Sequence, residues 1–177
     1  MTNKIAPQSV SRAAELFASA ERIVLFTHMA PDGDAMGSTL ALYHHLVSSA
    51  HSSVTPIVPN AFPDFLRWMS GADEILRYDK SPAEADELIA GADVICCVDL
   101  NCLKRLDDMA QSVEKSPARK ILIDHHIDPE NFCQIVISHP HISSASELVF
   151  RLICRLGYFE DITTECAECI YTGMMTD

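Results

Sequence analysis

The sequence predicts an α/β domain built on a mainly parallel sheet of about five strands, with helices on both faces. Short apolar runs alternate with longer segments whose apolar residues recur at helical spacing, which is typical of βαβ units. One run, Val94 to Val98, is apolar throughout, as expected for a strand that is covered on both faces. The length of 177 residues and the hydrophobic content of 48% fit one globular domain.

The first part of the chain predicts a helix, a strand and a second helix. Residues 8–20 place apolar side chains on one helical face. Residues 23–28 are predicted as the first strand, which begins with the apolar run Ile23–Phe26. Apolar residues then recur at helical spacing from Met36 to Val47, which predicts a helix over residues 36–49.

The next segment predicts two short strands and two helices. Residues 54–58 read as a strand, and Pro56 within it indicates an edge or an irregular end, because proline cannot donate to a ladder. Residues 63–69 predict a short helix with proline in its first turn. A short strand at 74–79 and a helix at 82–90 follow.

The second half continues the alternation. An extended segment at its middle, residues 132–138, has no assigned partner strand. The predicted elements are strands at 94–98 and 120–123 and helices at 102–115, 145–156 and 163–175.

Composition limits the classes of partner. The net charge is −12 and the 13 Lys and Arg residues are scattered, which argues against binding to extended duplex nucleic acid. No apolar run approaches the roughly 20 residues of a membrane helix, and residues 1–7 lack the apolar stretch of a signal peptide. We therefore expect a cytoplasmic protein without a membrane partner, whose seven cysteines are free thiols.

Polar side chains follow three of the predicted strands. Ligands bind outside the carboxyl ends of the strands in an open parallel sheet, so we expect these side chains to converge. Carboxylates with imidazoles suit Mn²⁺, or else Mg²⁺, Fe²⁺ or Co²⁺. A carboxylate that bridges two cations about 3.5–4 Å apart would create a two-metal hydrolytic centre. The candidates are His28, Asp32 and Asp34, then Asp99, and then Asp124, His125 and His126.

Simpler interpretations of the same residues stay open. The first cluster could be a polar strand-to-helix turn capped by Asp34, and His125 and His126 could be a structural pair at a strand end. Asp124 could cap the turn that follows it. The serines of residues 143–146 are interpreted mainly as a helix N-cap.

These residues resemble the motifs of the DHH phosphoesterase superfamily, which is related to RecJ-type exonucleases. The matching stretches are His28-x-x-Pro-Asp-x-Asp-x-x-Gly-Ser38, Asp99, Asp124-His-His126 and Gly173-Met-Met-Thr-Asp177. Residues 58–69 and 98–101 look most like the branch of nano-RNases that also dephosphorylate phosphoadenosine phosphate.

The resemblance implies a metal-dependent phosphohydrolase. Its substrates would be short oligoribonucleotides, linear dinucleotides or 3′-phosphoadenosine 5′-phosphate, cleaved by a water activated by two Mn²⁺ ions, with Mg²⁺ as the alternative. An inorganic pyrophosphatase-like hydrolase and a non-catalytic nucleotide-binding fragment are the competing hypotheses. The resemblance leaves a homodimer open.

The resemblance also implies a role for each residue. One metal would be held by His28 and Asp32, and Asp99 would bridge it to the second metal. His126 would face the substrate phosphate, Ser38 and the helix start behind it would line the phosphate pocket, and Asp124 would orient a histidine. The second metal would be held by Asp34, His125 and Asp177.

Members of these branches continue into a glycine-rich domain of the DHHA1 type that grips the substrate. Residues 1–177 contain no such glycine-rich motif, so the resemblance implies that they are the N-terminal DHH domain alone. We expect weak activity without the second domain.

Two further features are interpreted as structural. Arg105 follows Asp99 closely enough to reach a phosphate, but we interpret it as a solvated side chain. Trp68 with Phe62 and Phe65 is interpreted as a local packing unit rather than a platform for stacking bases.

Overall fold

A six-stranded sheet forms the centre of the computed structural model, which describes residues 5–49 and 53–177. Every hydrogen-bonded pair of neighbouring strands in it is parallel. The strands are β1 (Ile23–Phe26), β2 (Val54–Val58), β3 (Leu76–Arg77), β4 (Val94–Val98), β5 (Arg119–Asp124) and β6 (Ile135–Ser138).

The strand order is β3-β2-β1-β4-β5-β6, so the chain builds outward from β1 in one direction and then returns to build in the other. The order therefore reverses between β1 and β4, and ligands bind at such a switch point in open α/β sheets. The predicted fold class is confirmed. The sheet has six strands rather than about five, because part of the extended segment at residues 132–138 forms β6 and pairs with β5.

Helices cover both faces of the sheet, as predicted. Alternate side chains of β4 point to opposite faces, so Cys96 joins the core under α1, α2, α5 and α6 while Cys97 joins the core under α3 and α4. The helices are α1 (Pro7–Ser19), α2 (Gly33–Ser48), α3 (Pro82–Gly91), α4 (Ala110–Lys115), α5 (Ala145–Leu156) and α6 (Thr164–Thr176).

Helix α2 begins at Gly33, three residues before the predicted start. Asp32 is its N-cap, because its Oδ1 atom accepts hydrogen bonds of 3.0 Å from the backbone N–H groups of Asp34 and Ala35. The interpretation of Asp34 as the N-cap is therefore wrong, and Ser38 lies inside the helix rather than at its start.

The short elements also differ from their predicted lengths. Only Asp64–Leu66 of the predicted helix at 63–69 is a regular 3-10 turn, and the predicted strand at 74–79 is reduced to β3. The predicted helix at 102–115 begins as a 3-10 segment, Leu103–Met109, which is interrupted at Asp107 by a left-handed φ of 52°.

The expectation for Pro56 is confirmed in a local sense. Strand β2 pairs with β1 along its length, but β3 pairs only with Ile57 and Val58. Beside Pro56, β2 is therefore an edge, so the missing N–H leaves no gap in the ladder.

Helices α2 and α6 cross at two glycines, Gly37 and Gly173. A Cβ atom on Gly37 would lie 2.6 Å from the carbonyl oxygen of Cys169 and 2.8 Å from the Cα of Gly173. A Cβ atom on Gly173 would overlap the Ser146 hydroxyl. Only glycine permits this approach, which brings the end of α6, and with it Asp177, toward the start of α2.

Within residues 5–49 and 53–177, no helix is both long enough and apolar enough to cross a membrane. Residues 1–4, part of the segment used above to argue against a signal peptide, lie outside the described residues.

Candidate metal centre

The candidate residues converge at the carboxyl edge of the sheet because β1, β4 and β5 are neighbours there. Phe26 pairs with Cys97, and Val98 pairs with Ile123. One or two residues further along, this register sets His28, Asp99 and Asp124 side by side. The expected convergence at the strand ends is present in the structure.

Two groups of candidate ligands lie on either side of Asp99. Within each group the candidate ligand atoms are all within 4.8 Å of one another. The groups are His28, Asp32 and Asp99, and Asp34, His125 and Asp177.

Asp99 lies between the two groups. Its Oδ2 atom is 3.5 Å from His28 Nε2, and its Oδ1 atom is 3.5 Å from His125 Nε2. His28 Nε2 is 4.0 Å from Asp32 Oδ2, while His125 Nε2 is 3.7 Å from Asp34 Oδ2 and 3.8 Å from Asp177 Oδ2. These separations are too long for good hydrogen bonds, so the atoms face one another without pairing.

Two of these atoms lack a hydrogen-bond partner among residues 5–49 and 53–177. Asp99 Oδ1 and His28 Nε2 are both buried and unsatisfied. A buried polar atom without a partner is costly, and a cation that binds both groups would remove that cost. The donor set of carboxylate oxygens and imidazole nitrogens therefore fits a divalent cation on each side of Asp99.

Backbone carbonyls orient the two histidines that belong to these groups. His28 Nδ1 lies 2.7 Å from the Met29 carbonyl oxygen, and His125 Nδ1 lies 3.3 Å from that of Ile142. Because a carbonyl only accepts, each Nδ1 carries a hydrogen, which leaves Nε2 as the ring atom that can bind a cation once it is deprotonated.

His126 is held differently, by Asp124. Its Nδ1 atom is 2.7 Å from Asp124 Oδ1, and its Nε2 atom is 3.0 Å from Arg105 Nη1. The His126 Nδ1 atom is also within 3.5 Å of Asp99, but its hydrogen bond to Asp124 leaves it no lone pair for a metal. His126 is therefore better suited to contact a substrate than a cation. Asp124 lies where a residue that orients a histidine was expected.

Helix N-termini hold two of the carboxylates. Asp32 caps α2, and Asp34 accepts hydrogen bonds from the first N–H groups of α5, those of Ala145 at 2.6 Å and Ser146 at 2.9 Å. The partial positive charge at both helix starts stabilises carboxylates placed there. The Asp32 carboxylate occupies the first turn of α2, where a phosphate was expected to bind.

The charges in the cluster shift one another's pKa values. Burial, and next the charge of Asp99, raise the pKa of Asp34 to about 6. Burial alone would raise the pKa of Asp99, but the nearby imidazoles of His125 and His28 hold it well below its usual value. Asp99 in turn raises the pKa of His125 to about 9. Without a cation, a proton on His125 therefore offsets part of the negative charge at neutral pH.

The structure does not bring Ser38 to the surface of the site. The side chain is fully buried, and its hydroxyl donates a 2.6 Å hydrogen bond to the carbonyl oxygen of Asp34 within α2. The expected contact with substrate was based on a helix that begins near Ser38. The early start at Gly33 turns this residue inward.

Arg105 differs from its interpretation as a solvated residue. It is half-buried, and its guanidinium contacts His126 at the edge of the metal centre. Its backbone carbonyl also accepts a 2.8 Å hydrogen bond from the N–H of Met29. That contact joins two segments that are far apart in sequence, so no local pattern could reveal it.

The predicted aromatic packing unit does not form. Trp68 is 63% exposed and Phe65 is 68% exposed, while Leu66 and Met69 turn inward. Phe65 and Trp68 are three positions apart, as are Leu66 and Met69, and this spacing brings each pair to the same side of the segment. Phe62 instead lies under the guanidinium of Arg67, whose Cζ atom is 5.7 Å from the centroid of the Phe62 ring.

The serine cluster behaves mainly as the predicted helix cap. Ser144 is the N-cap of α5, and its hydroxyl accepts from the N–H of Glu147 at 3.1 Å. The seven cysteines are free thiols, as expected. In the described part of the chain, no potential metal-binding group includes a cysteine.

Comparison with known proteins identifies related chains. A family model described as the N-terminal domain of the DHH family matches residues 22–174. The Bacillus subtilis protein named bifunctional oligoribonuclease and PAP phosphatase NrnA is 30% identical over 160 residues, which are 89% of this chain and 46% of that protein. The protein of the same name from Thermus thermophilus is 30% identical over 158 residues, covering 88% and 43%.

A solved structure has the same fold. The crystal structure of an exopolyphosphatase-related protein from Bacteroides fragilis superposes with a TM-score of 0.96 and is 59% identical in sequence. The match covers 99% of this chain and 51% of that one. The chain thus spans about half the length of the relatives that it matches.

Proposed function

The chain belongs to the DHH family, and from this premise we propose that it forms the metal-binding domain of a phosphoric ester hydrolase. Its substrates would be short oligoribonucleotides, linear dinucleotides or 3′-phosphoadenosine 5′-phosphate. The relatives named oligoribonuclease and PAP phosphatase support this substrate class. The observation that carries the proposal is the position of the buried Asp99, whose two oxygens each face a different group of ligands.

The proposed centre would hold two Mn²⁺ ions, one on each side of Asp99, with Mg²⁺ as the alternative. When bound, such ions lower the pKa of a water molecule and neutralise charge on phosphoryl oxygens. The ligands of one ion would be His28, Asp32 and Asp99, and those of the other Asp34, His125, Asp177 and Asp99.

The chain's own side chains would orient the substrate. Asp124 keeps the hydrogen of His126 on Nδ1, so in the free protein the lone pair of Nε2 accepts from the Arg105 guanidinium. A protonated His126 would donate from Nε2 to a phosphate oxygen, and Asp124 would stabilise that charge. His126 therefore has the orientation needed to bind or to protonate a phosphate oxygen.

A phosphoanhydride such as inorganic pyrophosphate is a second candidate substrate. The specific observation in its favour is the name of the solved relative, which is described as exopolyphosphatase-related. The chemistry at phosphorus is the same, so the ligand set alone does not separate the two classes.

Asp99→Asn tests the proposal. We expect wild-type protein to bind two Mn²⁺ ions by calorimetry and to release mononucleotides from a 5′-phosphorylated diribonucleotide. The turnover of Asp99→Asn should fall at least ~100-fold. Mutation of a residue that only hydrogen-bonds to a metal ligand already lowers metal affinity or activity by about 10–100-fold. Its matched control is Asp108→Asn, an exposed aspartate nine positions along the chain that should behave as wild type.

Phosphate release from pyrophosphate and from phosphoadenosine phosphate, measured side by side, assigns the substrate class. Full turnover by Asp99→Asn would contradict the mechanism. Nucleotide binding by wild type without any hydrolysis would favour a non-catalytic binding domain instead.

A further inference from the structure

Arg105 combines partial burial with the lack of a nearby carboxylate, unlike the other arginines in the described part of the chain. Arg12, Arg119 and Arg155 also lack a carboxylate partner there, but they are exposed. Four others pair with carboxylates, namely Arg22, Arg67, Arg77 and Arg151. Arg105 has no carboxylate oxygen within 4.0 Å of its guanidinium among residues 5–49 and 53–177, although it is half-buried. A cation held without an acidic partner, in a protein whose net charge is −12, is available for an anion from outside.

The guanidinium lies at the metal centre. Its Nη1 atom is 3.0 Å from Nε2 of His126, the atom proposed to face the substrate. The backbone of Arg105 also binds the N–H of Met29, the residue after the candidate ligand His28. Arg105 therefore contacts the segment that follows β5, through His126, and the segment that follows β1, through Met29.

The segment that carries Arg105 is fixed by a network of hydrogen bonds. Glu130 accepts from the N–H of Leu103 at 3.0 Å, and the N–H of Glu130 donates to the carbonyl oxygen of Asn101 at 2.7 Å. The segment begins at Asp99, whose φ is 55°. An aspartate can adopt this left-handed conformation, and it turns the chain sharply away from β4. The position of Arg105 is thus organised before any ligand arrives.

The present contact uses little of the binding capacity of Arg105. Guanidinium has five N–H donors in a planar fork, and here one of them is directed at a neutral imidazole nitrogen. The fork matches two oxygens of a phosphate, and such charge-assisted hydrogen bonds are roughly twice as strong as neutral ones. A phosphoryl group at the site would therefore compete well for this side chain.

We propose that Arg105 binds the phosphoryl group of the substrate, exchanging its contact with His126 for non-bridging phosphate oxygens. The ligand class is a nucleotide phosphate, either a monoester or a diester. Arg105 and His126 would then both contact the phosphate. This inference rests on the proposed function, because it assigns a substrate contact to the same site.

The test compares Arg105→Gln with Lys104→Gln, which removes the same charge from the exposed neighbouring residue. Binding of AMP and of inorganic phosphate to the Mn²⁺-loaded protein is measured by calorimetry. We expect Arg105→Gln to weaken AMP binding by roughly 10–100-fold, the worth of hydrogen bonds to a charged group. Its Mn²⁺ affinity should be unchanged, and Lys104→Gln should match wild type.

Arg105→Lys provides a second test that keeps the charge. Lysine presents a point charge rather than a fork, so AMP affinity should fall between those of wild type and Arg105→Gln. In turnover assays, both variants should raise KM more than they lower kcat, whereas a variant that only loosens the fold would lower the melting temperature without this pattern. If Arg105→Gln does not fold, wild-type AMP affinity in Arg105→Lys overturns the inference.

The outcomes separate this inference from the proposed function. Equal AMP affinity in wild type and Arg105→Gln, or no binding of AMP or phosphate by wild type, overturns the role of Arg105. Binding of AMP that depends on Arg105, in a protein that hydrolyses none of the substrates, leaves the role of Arg105 intact and rejects the hydrolase.

Discussion

Each histidine at the site is held through its Nδ1 atom, by a carbonyl for His28 and His125 and by a carboxylate for His126. The type of partner decides what each ring does. A carbonyl behind the ring leaves Nε2 of His28 and His125 as the atom that can bind a cation, whereas the carboxylate of Asp124 directs Nε2 of His126 toward Arg105. The division between metal ligand and substrate contact therefore begins with the atoms behind the rings.

Asp124→Asn should separate these two roles. The asparagine amide would donate to His126 Nδ1 and move the ring hydrogen to Nε2, where it would face the Arg105 guanidinium. We expect turnover to fall roughly 10–100-fold while the Mn²⁺ stoichiometry stays the same. Parallel turnover assays and Mn²⁺ calorimetry measure the two effects.

Asp128→Asn is the matched control for that change, because Asp128 is exposed and asparagine tolerates its φ of 51°. If Asp124→Asn lost Mn²⁺ binding as well as turnover, Asp124 would support the metal ligands and not His126 alone.

Among the elements, α2 and α5 each use their N-terminus to hold a carboxylate. Asp32 caps the helix that it begins, while Asp34 crosses to cap α5. Each carboxylate is fixed by backbone N–H groups and does not depend on a flexible side-chain partner. Binding of a cation therefore requires little reordering of these two ligands.

The crossing of α2 and α6 carries the next prediction. Gly37→Ala would place a methyl group against the backbone of Cys169 and Gly173, which cannot move independently of α6. We expect the free energy of unfolding to fall by about 1–3 kcal/mol and the Mn²⁺ affinity to weaken, because α6 carries Asp177. Chemical denaturation and calorimetry measure the two changes.

Gly91→Ala is the control, since its Cβ would contact only the flexible Arg22 side chain, at 3.2 Å. This change at the end of α3 should leave Mn²⁺ binding unaltered. If Gly37→Ala bound Mn²⁺ as tightly as wild type, the close approach of the helices would not be needed to place Asp177.

For the whole molecule, the acidic charge makes metal binding and stability depend on each other. The two ligand groups combine four carboxylates with two imidazoles, and bound cations would relieve the repulsion among the carboxylates. At a free Mn²⁺ concentration about 100 times the dissociation constant, binding at one site raises the free energy of unfolding by about 2.7 kcal/mol. We expect the melting temperature to rise by roughly 5–10 °C for a domain of this size.

The rise in melting temperature caused by Mn²⁺ should be larger at pH 8.5 than at pH 6. The pKa of His125 is raised to about 9 and that of Asp34 to about 6, so protons compete with the cation as the pH falls through these values. Thermal scans with Mn²⁺ or with chelator, at both pH values, measure the difference. Asp99→Asn should reduce the shift, and an equal shift in that variant would place the bound ion elsewhere.

Much of the fold and of the candidate site was predictable because strands with polar ends leave a strong local pattern. The apolar runs before His28, Asp99 and Asp124 indicated buried strands, and parallel strands bring their carboxyl ends to one edge. The early start of α2 was missed because the apolar residues at helical spacing begin only at Met36, whereas the cap at Asp32 starts the helix at Gly33. Ser38 was misplaced for the same reason.

The remaining features depend on contacts between distant segments. The contact of Arg105 with Met29 and His126 joins three separate strand ends, and the crossing at Gly37 and Gly173 joins the second helix to the last. Neither leaves a periodic pattern, because each depends on where the sheet places segments that share no local sequence. A glycine in a helix predicts a close approach in general terms but does not identify its partner.

The crossing of α2 and α6 also has a consequence for biosynthesis. His28, Asp32 and Asp99 are translated early, but Asp177 follows the last helix, so a nascent chain still lacking residues 164–177 holds only one of the two ligand groups complete. The glycine contact that positions Asp177 forms only after that helix has left the ribosome. Until residues 164–177 have been synthesised, Asp34 and His125 therefore lack Asp177, and the second ligand group stays incomplete.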